Sequence, residues 1–432
     1  MLYNAKHEKV TAEALAQVQI ERLQATLFRA CRNVAFYRQS FEAHGVDVEC
    51  VKSVADLRRL PFTTREDLGR SYPYDMFAVP LRDVVRIHSM AGAANAPVSV
   101  GYTRNDLRHC TECAARLLTA AGIGAGDVVQ IAFPFNLFMG GHGFHQGAEQ
   151  IGASVIPSLA TATVEKQIDL MRDFKTTTLI CTPGYALELA HALDALQVRR
   201  ERLCLRVGLF GGEPWPESMR RELDERLGVV CMDTYGFSDV MGPGLAGECR
   251  ERNGLHVNED HFIVEVIDPR TLEPVAAGQE GELVFTTIMR EAFPVIRYRT
   301  GDVGAILDGA CPCGRTFRRM ARVARRTDER FYFQGVGIFP AQIERIVGEV
   351  MAWKPRSQVI LDRRNGQDTM EVRLEVTEGI PALDEIRNLQ RLRESVEKRV
   401  ETLLDVRVKA VFVEPASLQD AGAAAVVDRR PK

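Results

Sequence analysis

The chain has 432 residues, too many for one compact core, so two domains are expected. Its composition, 46% apolar and 26% charged, is that of an ordinary globular protein, and a net charge of −3 gives no electrostatic reason to expect nucleic acid or an anionic membrane as a partner. No apolar leader opens the sequence, no stretch approaches a membrane span, and ten cysteines without a secretory signal suit thiols or metal ligands in a reducing compartment, so the cytoplasm is the expected location.

Residues 11–44 carry helical periodicity through Leu15, Val18, Leu23, Leu27 and Ala30, ending near Gly45. From about residue 127, short apolar runs (VVQIAF, ASVIPS, TTLICT, LRVGLF, VVCMDTY) alternate with amphipathic segments at 142–151, 165–174, 185–196 and 216–227. β-rich runs separated by helices predict a parallel sheet covered on both faces, hence an α/β fold. After about residue 255 the pattern becomes strands and turns (FIVEVIDP, GELVFTTI, VIRYR, VGAILDG). Residues 345–432 show strands SQVIL, MEVRLEV and VRVKAVFV around a charged helix at 383–404, a small α+β unit. The boundary falls near the arginine-rich stretch 318–330, and there is no repeat or low-complexity tract.

Three turns could carry chemistry. Tyr235-Gly236-Phe237-Ser238-Asp239 lies at the carboxyl end of a parallel strand, where open α/β sheets bind ligands, and its acid could hold Mg²⁺ on phosphates. Asp302 in YRTGD could accept from a ribose diol, and Gly212-Glu213-Pro214 could approach a base or sugar closely. Taken singly, each is weak: the two acidic turns read better as turns with solvated aspartates, and Gly212-Glu213-Pro214 as a simple strand-to-helix turn. Cys249, His256, Cys311 and Cys313 supply three thiolates and an imidazole, the ligand set of a closed tetrahedral zinc site, although the long gap leaves unpaired buried thiols as the alternative. Cys110 and Cys113 lie in a helical pattern and read as packing residues.

In their order and spacing these motifs resemble the adenylate-forming acyl-CoA ligase superfamily, most closely its phenylacetate-CoA ligase-like branch. The resemblance covers nearly the whole length, through NVAFYRQSFEAHGV, LRRLPFTTREDL, VGYTRNDL, YGFSDVMGPGLAGEC, NGLHVNEDHF, IRYRTGDVG, CPCGRTFRRM, RRTDER and GIFPAQIE. It implies a large N-terminal domain (1–326) with parallel sheets and a β-rich subdomain, a hinge (327–330) and a small α+β lid (331–432) that swings between acyl-AMP formation and thiol attack. It further implies that Asp302 binds ribose, that Gly212, Glu213 and Pro214 line the adenine side, and that Tyr235 stacks on adenine. Arg326 and Asp328 correspond to the hinge pair, and Gly335 and Gly337 to the pantetheine-side lid loop. Phe135, Phe138, Met139 and Gly141, with Tyr235 and Gly236, correspond to an acyl pocket suited to a flat aryl group. His145 belongs to the same segment, with ordinary core packing as the alternative reading for it and for Phe138. The branch also shows the same Cys, His and Cys-x-Cys positions, which implies a structural Zn²⁺.

The chain departs from the family at three places. The loop that there reads Ser-Ser-Gly-Thr-Thr-Gly-Lys-Pro aligns with Met90 to Pro97, where of the phosphate-cradling residues only one glycine, Gly92, remains. The metal-binding glutamate is Asp239, shorter by one methylene, and the C-terminal catalytic lysine aligns with the lysine-free stretch Ala421–Ala425. Losing one preorganised donor to developing charge costs about 10²–10³ in rate. All three losses fall on the ATP-phosphate half, so the expectation is a ligase-derived acyltransferase. It would move an aryl group from an aryl-CoA thioester to the phosphopantetheine arm of an acyl carrier protein without ATP. Cys181, Ser238 and His145 are its candidate nucleophile or base groups, with Asp328 at the hinge. The alternatives are an ATP- and Mg²⁺-dependent arylcarboxylate-CoA ligase, with Arg429 or Lys432 substituting for the lost cation, and a non-catalytic carrier-protein-binding relative. A homodimer stays open.

Overall fold

The computed structural model describes residues 1–90, 97–133, 139–158, 162–351, 355–364, 366–376, 384–414, 417–418 and 425–430. Most of the loop Met90–Pro97, the acyl-pocket residues Phe135 and Phe138, the stretch Ala421–Ala424 and Lys432 lie outside the described residues.

The predicted alternation is present as a mixed α/β fold. A nine-stranded sheet runs in the order Ile306–Leu307, Arg319–Met320, Leu255–Val257, Gly242–Glu248, Val230–Phe237, Val207–Gly211, Thr178–Cys181, Val128–Ile131, Ser154–Ile156. The last five are parallel neighbours, and the sheet turns antiparallel where Val230–Phe237 pairs with Gly242–Glu248. The helices Met139–Gln150, Val164–Asp173, Pro183–Ala195 and Glu217–Leu227 match the predicted segments to within a few residues. Their apolar faces and the strands' side chains form two cores, around Leu179, Phe210 and Leu223 and around Val129, Ile131 and Phe144. The long N-terminal helix is in fact two, Ala12–Asn33 and Ala35–Ala43, because Val34 between them is extended (φ −112°, ψ 111°).

A second sheet orders Phe262–Ile267, Gly281–Thr287, Tyr298–Gly304 and Arg325–Arg326 antiparallel, as the turn-rich pattern predicts. The C-terminal unit has its own core around Ile343, Leu361, Val372 and Val400, built from a four-stranded sheet and the helices Pro340–Val350 and Asp384–Leu404. No helix among the described residues is long and apolar enough to cross a membrane.

Candidate active site and metal cluster

The site forms where the carboxyl ends of the parallel strands meet the second sheet and the C-terminal unit. After Val207–Gly211 the chain turns through Gly212 at φ +86°, a left-handed conformation that favours glycine. That turn presents Glu213 to two main-chain donors. Oε1 accepts from Gly184 N–H at 2.8 Å, and Oε2 accepts from Gly335 N–H of the C-terminal unit at 3.2 Å. Burial, and then Asp368, push the Glu213 carboxyl above its ordinary range.

On the facing strand the Tyr235 hydroxyl donates to Asp302 Oδ2 at 2.7 Å. Asp302 is also ion-paired with Arg326, whose guanidinium grips both oxygens of Asp328 at 2.6 and 2.8 Å and donates to Thr300 O at 2.6 Å. Burial raises the Asp302 carboxyl despite Arg326; at Asp328 burial acts in the same sense, but the two-pronged bond to Arg326 outweighs it and holds the group below the usual carboxylate range. Asp302, Tyr235, Gly212, Glu213 and Pro214 thus line one small cavity of about 50 Å³, which Tyr332 helps to close.

A second space adjoins it through Gly212, Thr234 and Gly236. Phe133 and Phe144 stack at 6.1 Å with 9° between ring planes and wall a space of about 20 Å³ together with Gly140, Phe237 and Pro243. Met139 and Gly141 are buried in the helix Met139–Gln150, while Gly236 lines both spaces and Tyr235 only the first. The side chains proposed as nucleophile or base are placed otherwise. Ser238 Oγ accepts from Met139 N–H at 3.2 Å, anchoring that helix. Cys181 is fully buried at a strand end, and burial pushes its thiol well up, away from the reactive thiolate. His145 Nε2 lies 3.1 Å from Glu149 Oε1 one helical turn along, and His145 is not among the cavity-lining residues.

Asp239 is 2% exposed, accepts from the Tyr298 hydroxyl at 2.8 Å, and is ion-paired with Arg65. Sequence reasoning passed over Arg65, Tyr298 and Tyr332. A signal for Arg65 did exist: it is the first residue of the helix Arg65–Arg70, where a cation opposes the helix dipole, which points to an acidic partner elsewhere. Beyond Arg65 opens a groove of about 890 Å³ lined also by Thr300, Gly301, Asp328, Arg330 and Phe339.

The four predicted metal ligands converge, with all ligand atoms within 4.8 Å of one another. Cys249 Sγ and Cys311 Sγ are 3.7 Å apart, and Cys313 Sγ is 3.4 Å from His256 Nε2. A tetrahedral zinc site with arms of about 2.3 Å to sulfur and 2.0–2.1 Å to nitrogen has sulfur–sulfur edges of about 3.8 Å and sulfur–nitrogen edges of about 3.5 Å. The donor set therefore fits such an ion. His256 Nδ1 faces the carbonyl of Phe317 at 3.3 Å and so carries the proton, which leaves the Nε2 lone pair directed at the cluster. The cluster ties the strand Leu255–Val257 to the turn before Arg319–Met320 and packs on Ala120.

The profile of AMP-binding enzymes matches residues 137–289, and that of the AMP-binding enzyme C-terminal domain matches 335–430. The phenylacetate-coenzyme A ligase of Aromatoleum evansii is 39% identical over 429 residues, spanning 98% of this chain and 97% of that protein. The phenylacetate-coenzyme A ligase of Escherichia coli is 41% identical over 406 residues, 93% and 92% of the two chains. The crystal structure of a 2-hydroxyisobutyryl-CoA ligase with 2-HIB-AMP and CoA in the thioesterification state superposes with a TM-score of 0.93 at 26% identity, covering 99% of this chain and 92% of that one. The same ligase in its postadenylation state superposes at only 0.72.

These findings overturn the ATP-free acyltransferase expected from the sequence, because full-length relatives at about 40% identity are ligases. The physical flaw lay in equating lost side-chain donors with a lost reaction. Phosphates are also held by main-chain N–H groups, which no substitution short of proline removes, and by cations from elsewhere in the chain. Among the described residues, Cys181 is a fully buried thiol pushed well up, and Ser238 Oγ accepts from Met139 N–H to anchor a helix, so neither is placed as an acyl-enzyme nucleophile. The chain belongs to the adenylate-forming AMP-binding enzymes, in their phenylacetate-CoA ligase-like branch.

Proposed function

We propose that this protein is an AMP-forming ligase that joins an aryl carboxylate to coenzyme A through an acyl-AMP. The observation that carries the reading is the full-length identity of 39–41% to two phenylacetate-coenzyme A ligases. In the first step a carboxylate oxygen attacks the α-phosphorus of ATP and pyrophosphate leaves. In the second the CoA sulfur attacks the acyl carbonyl and AMP leaves. Asp302 accepts from the ribose hydroxyls, and Tyr235 and Arg326 fix its orientation. Gly212, Glu213 and Pro214 border the base. The aryl group lies against Phe133, Phe144 and Phe237. Residues 327–330 act as the hinge between the body (1–326) and the lid (331–432), and Gly335 and Gly337 border the pantetheine in the second step. The thiol acceptor in this reading is coenzyme A, and no carrier-protein arm is required.

Two ions enter the proposal differently. Cys249, His256, Cys311 and Cys313 would hold one Zn²⁺, which cross-links strands and takes no part in the reaction. The Mg²⁺ that the family implies finds a poor ligand in Asp239, which already shares a buried contact with a guanidinium. Of the tail arginines, Arg430 is committed elsewhere, pairing with Asp368 at 2.9 Å and with Asp428 at 2.8 Å, while Arg429 is exposed. Incubation with ATP, MgCl₂, CoA and a panel of benzoates and arylacetates, followed by mass spectrometry, tests the reading. Matching amounts of AMP and one acyl-CoA are expected; acyl-CoA formation without AMP, or neither product from any acid, contradicts it.

A further inference from the structure

Asp239 stands where the ligase family carries a metal-binding glutamate, yet its surroundings are those of a cation clamp. One oxygen, Oδ2, takes both the Arg65 guanidinium and the Tyr298 hydroxyl, the latter at 2.8 Å. The other, Oδ1, is buried with no hydrogen-bond partner among the described residues. Mg²⁺ demands near-octahedral oxygen ligands and gives up its waters reluctantly. A single buried oxygen beside a guanidinium is a poor place for it, because the two cations repel across a few ångströms of low dielectric.

Arg65, by contrast, is well placed. Burial disfavours its charge, but Asp239 and then Tyr298 outweigh that, and the guanidinium stays firmly protonated. It lines the large groove together with Thr300 and Gly301, next to the ribose-side Asp302, and Tyr332 of the nucleotide cavity is close enough to act on it electrostatically. A guanidinium carries a rigid fork of donors suited to phosphate oxygens.

Resting on the ligase reading, we infer that Arg65 is the phosphate-side cation of this chain and that Asp239 is its positioning residue rather than a ligand for a divalent ion. The pair replaces, from the helix Arg65–Arg70, the positive charge missing from the loop at residues 90–97 and from the C-terminal tail.

The test compares ATP and AMP affinities by calorimetry in MgCl₂, and Mn²⁺ uptake of the nucleotide-free protein by electron paramagnetic resonance. Arg65→Gln should weaken ATP about 10- to 100-fold and AMP far less, so that the ATP-to-AMP ratio falls at least about tenfold. A purely structural role would weaken both nucleotides together. Arg65→Lys should lie between, since it keeps the charge and loses the fork. Asp239→Glu should weaken ATP binding by overfilling the clamp, whereas a metal ligand would gain from the family's own residue. Wild type and Asp239→Asn should take up Mn²⁺ alike. An unchanged ATP-to-AMP ratio in Arg65→Gln, tighter ATP binding in Asp239→Glu, or Mn²⁺ uptake that Asp239→Asn abolishes would each overturn the inference alone. Wild-type protein that binds no ATP would overturn the ligase reading and the inference with it.

Discussion

Gly335 is the residue at which the lid's seat on the body can be tested most sharply. It adopts φ +78°, and a Cβ there would stand 2.6 Å from Thr182 Cγ2, across the junction between the C-terminal unit and the parallel-sheet domain. Gly335→Ala therefore meets two separable penalties. The left-handed backbone costs an L-residue about 1–2 kcal/mol wherever the lid lies. The methyl–methyl overlap costs about a further 1–3 kcal/mol, but only when the lid is docked as observed. The chain as observed superposes on the thioesterification state of the 2-hydroxyisobutyryl-CoA ligase, so on the ligase reading the second penalty slows the reaction of pre-formed acyl-AMP with CoA by about 5- to 100-fold, at about 1.4 kcal/mol per decade. Thr182→Ser is the matched probe. It removes Cγ2 and keeps the hydroxyl that caps the helix Pro183–Ala195 by accepting from Tyr185 N–H at 3.2 Å. Single-turnover kinetics of the four proteins in this cycle should show Thr182→Ser restoring most of the rate lost in Gly335→Ala. If the double variant is as slow as Gly335→Ala alone, the lid does not seat on Thr182 during thioester formation and the argument fails.

Other outcomes follow from the same structure. Asp260 is buried and held by Arg116 at 2.7 and 3.0 Å and by His261 at 2.9 Å. Burial raises its carboxyl, but His261 and Arg116 outweigh this and drive it far below the ordinary range. A depressed acid stabilises the fold above its unfolded pKa of about 3.9 and loses that contribution as pH falls through the folded value. Asp260→Asn should thus cost about 3–5 kcal/mol in urea melts at pH 7 and progressively less below about pH 4; an equal loss at every pH would refute the charge-based account. Elemental analysis should find one zinc per chain, and Cys313→Ser should lose it and lower Tm; a metal-free, equally stable wild type would refute the site. Phe144→Ala should cost about 3–5 kcal/mol of stability while admitting bulkier aryl acids; unchanged acid preference would remove Phe144 from the pocket wall.

Local pattern carried the architecture. The apolar runs at 128–133, 177–182 and 205–210 are neighbouring parallel strands, legible because each is too short for a helix and alternates with longer amphipathic segments. The break at Val34 was less legible, since two collinear helices share one periodicity and only the backbone at a single residue separates them. In the site, the Asp302–Tyr235 and Cys/His groupings came from the resemblance to the family's motifs, since their spacing alone was unspecific, whereas the Arg65–Asp239 clamp joins residues 174 apart and neither motif names the other. Glu213 is the opposite case. The turn was visible, but its grip on Gly335 depends on how the lid docks, which no local pattern encodes. The largest error, the ATP-free transferase, came from reading three departures from the family's motifs as a missing reaction, although full-length relatives at about 40% identity are ligases.

The most direct measurement of the central claim is acid-dependent exchange of ³²P-pyrophosphate into ATP with CoA left out. A ligase that forms an acyl-AMP must run its first step backwards, so the label should enter ATP only when a cognate aryl acid is present. No exchange with any acid, in protein that still moves an aryl group between thiols, would contradict the account.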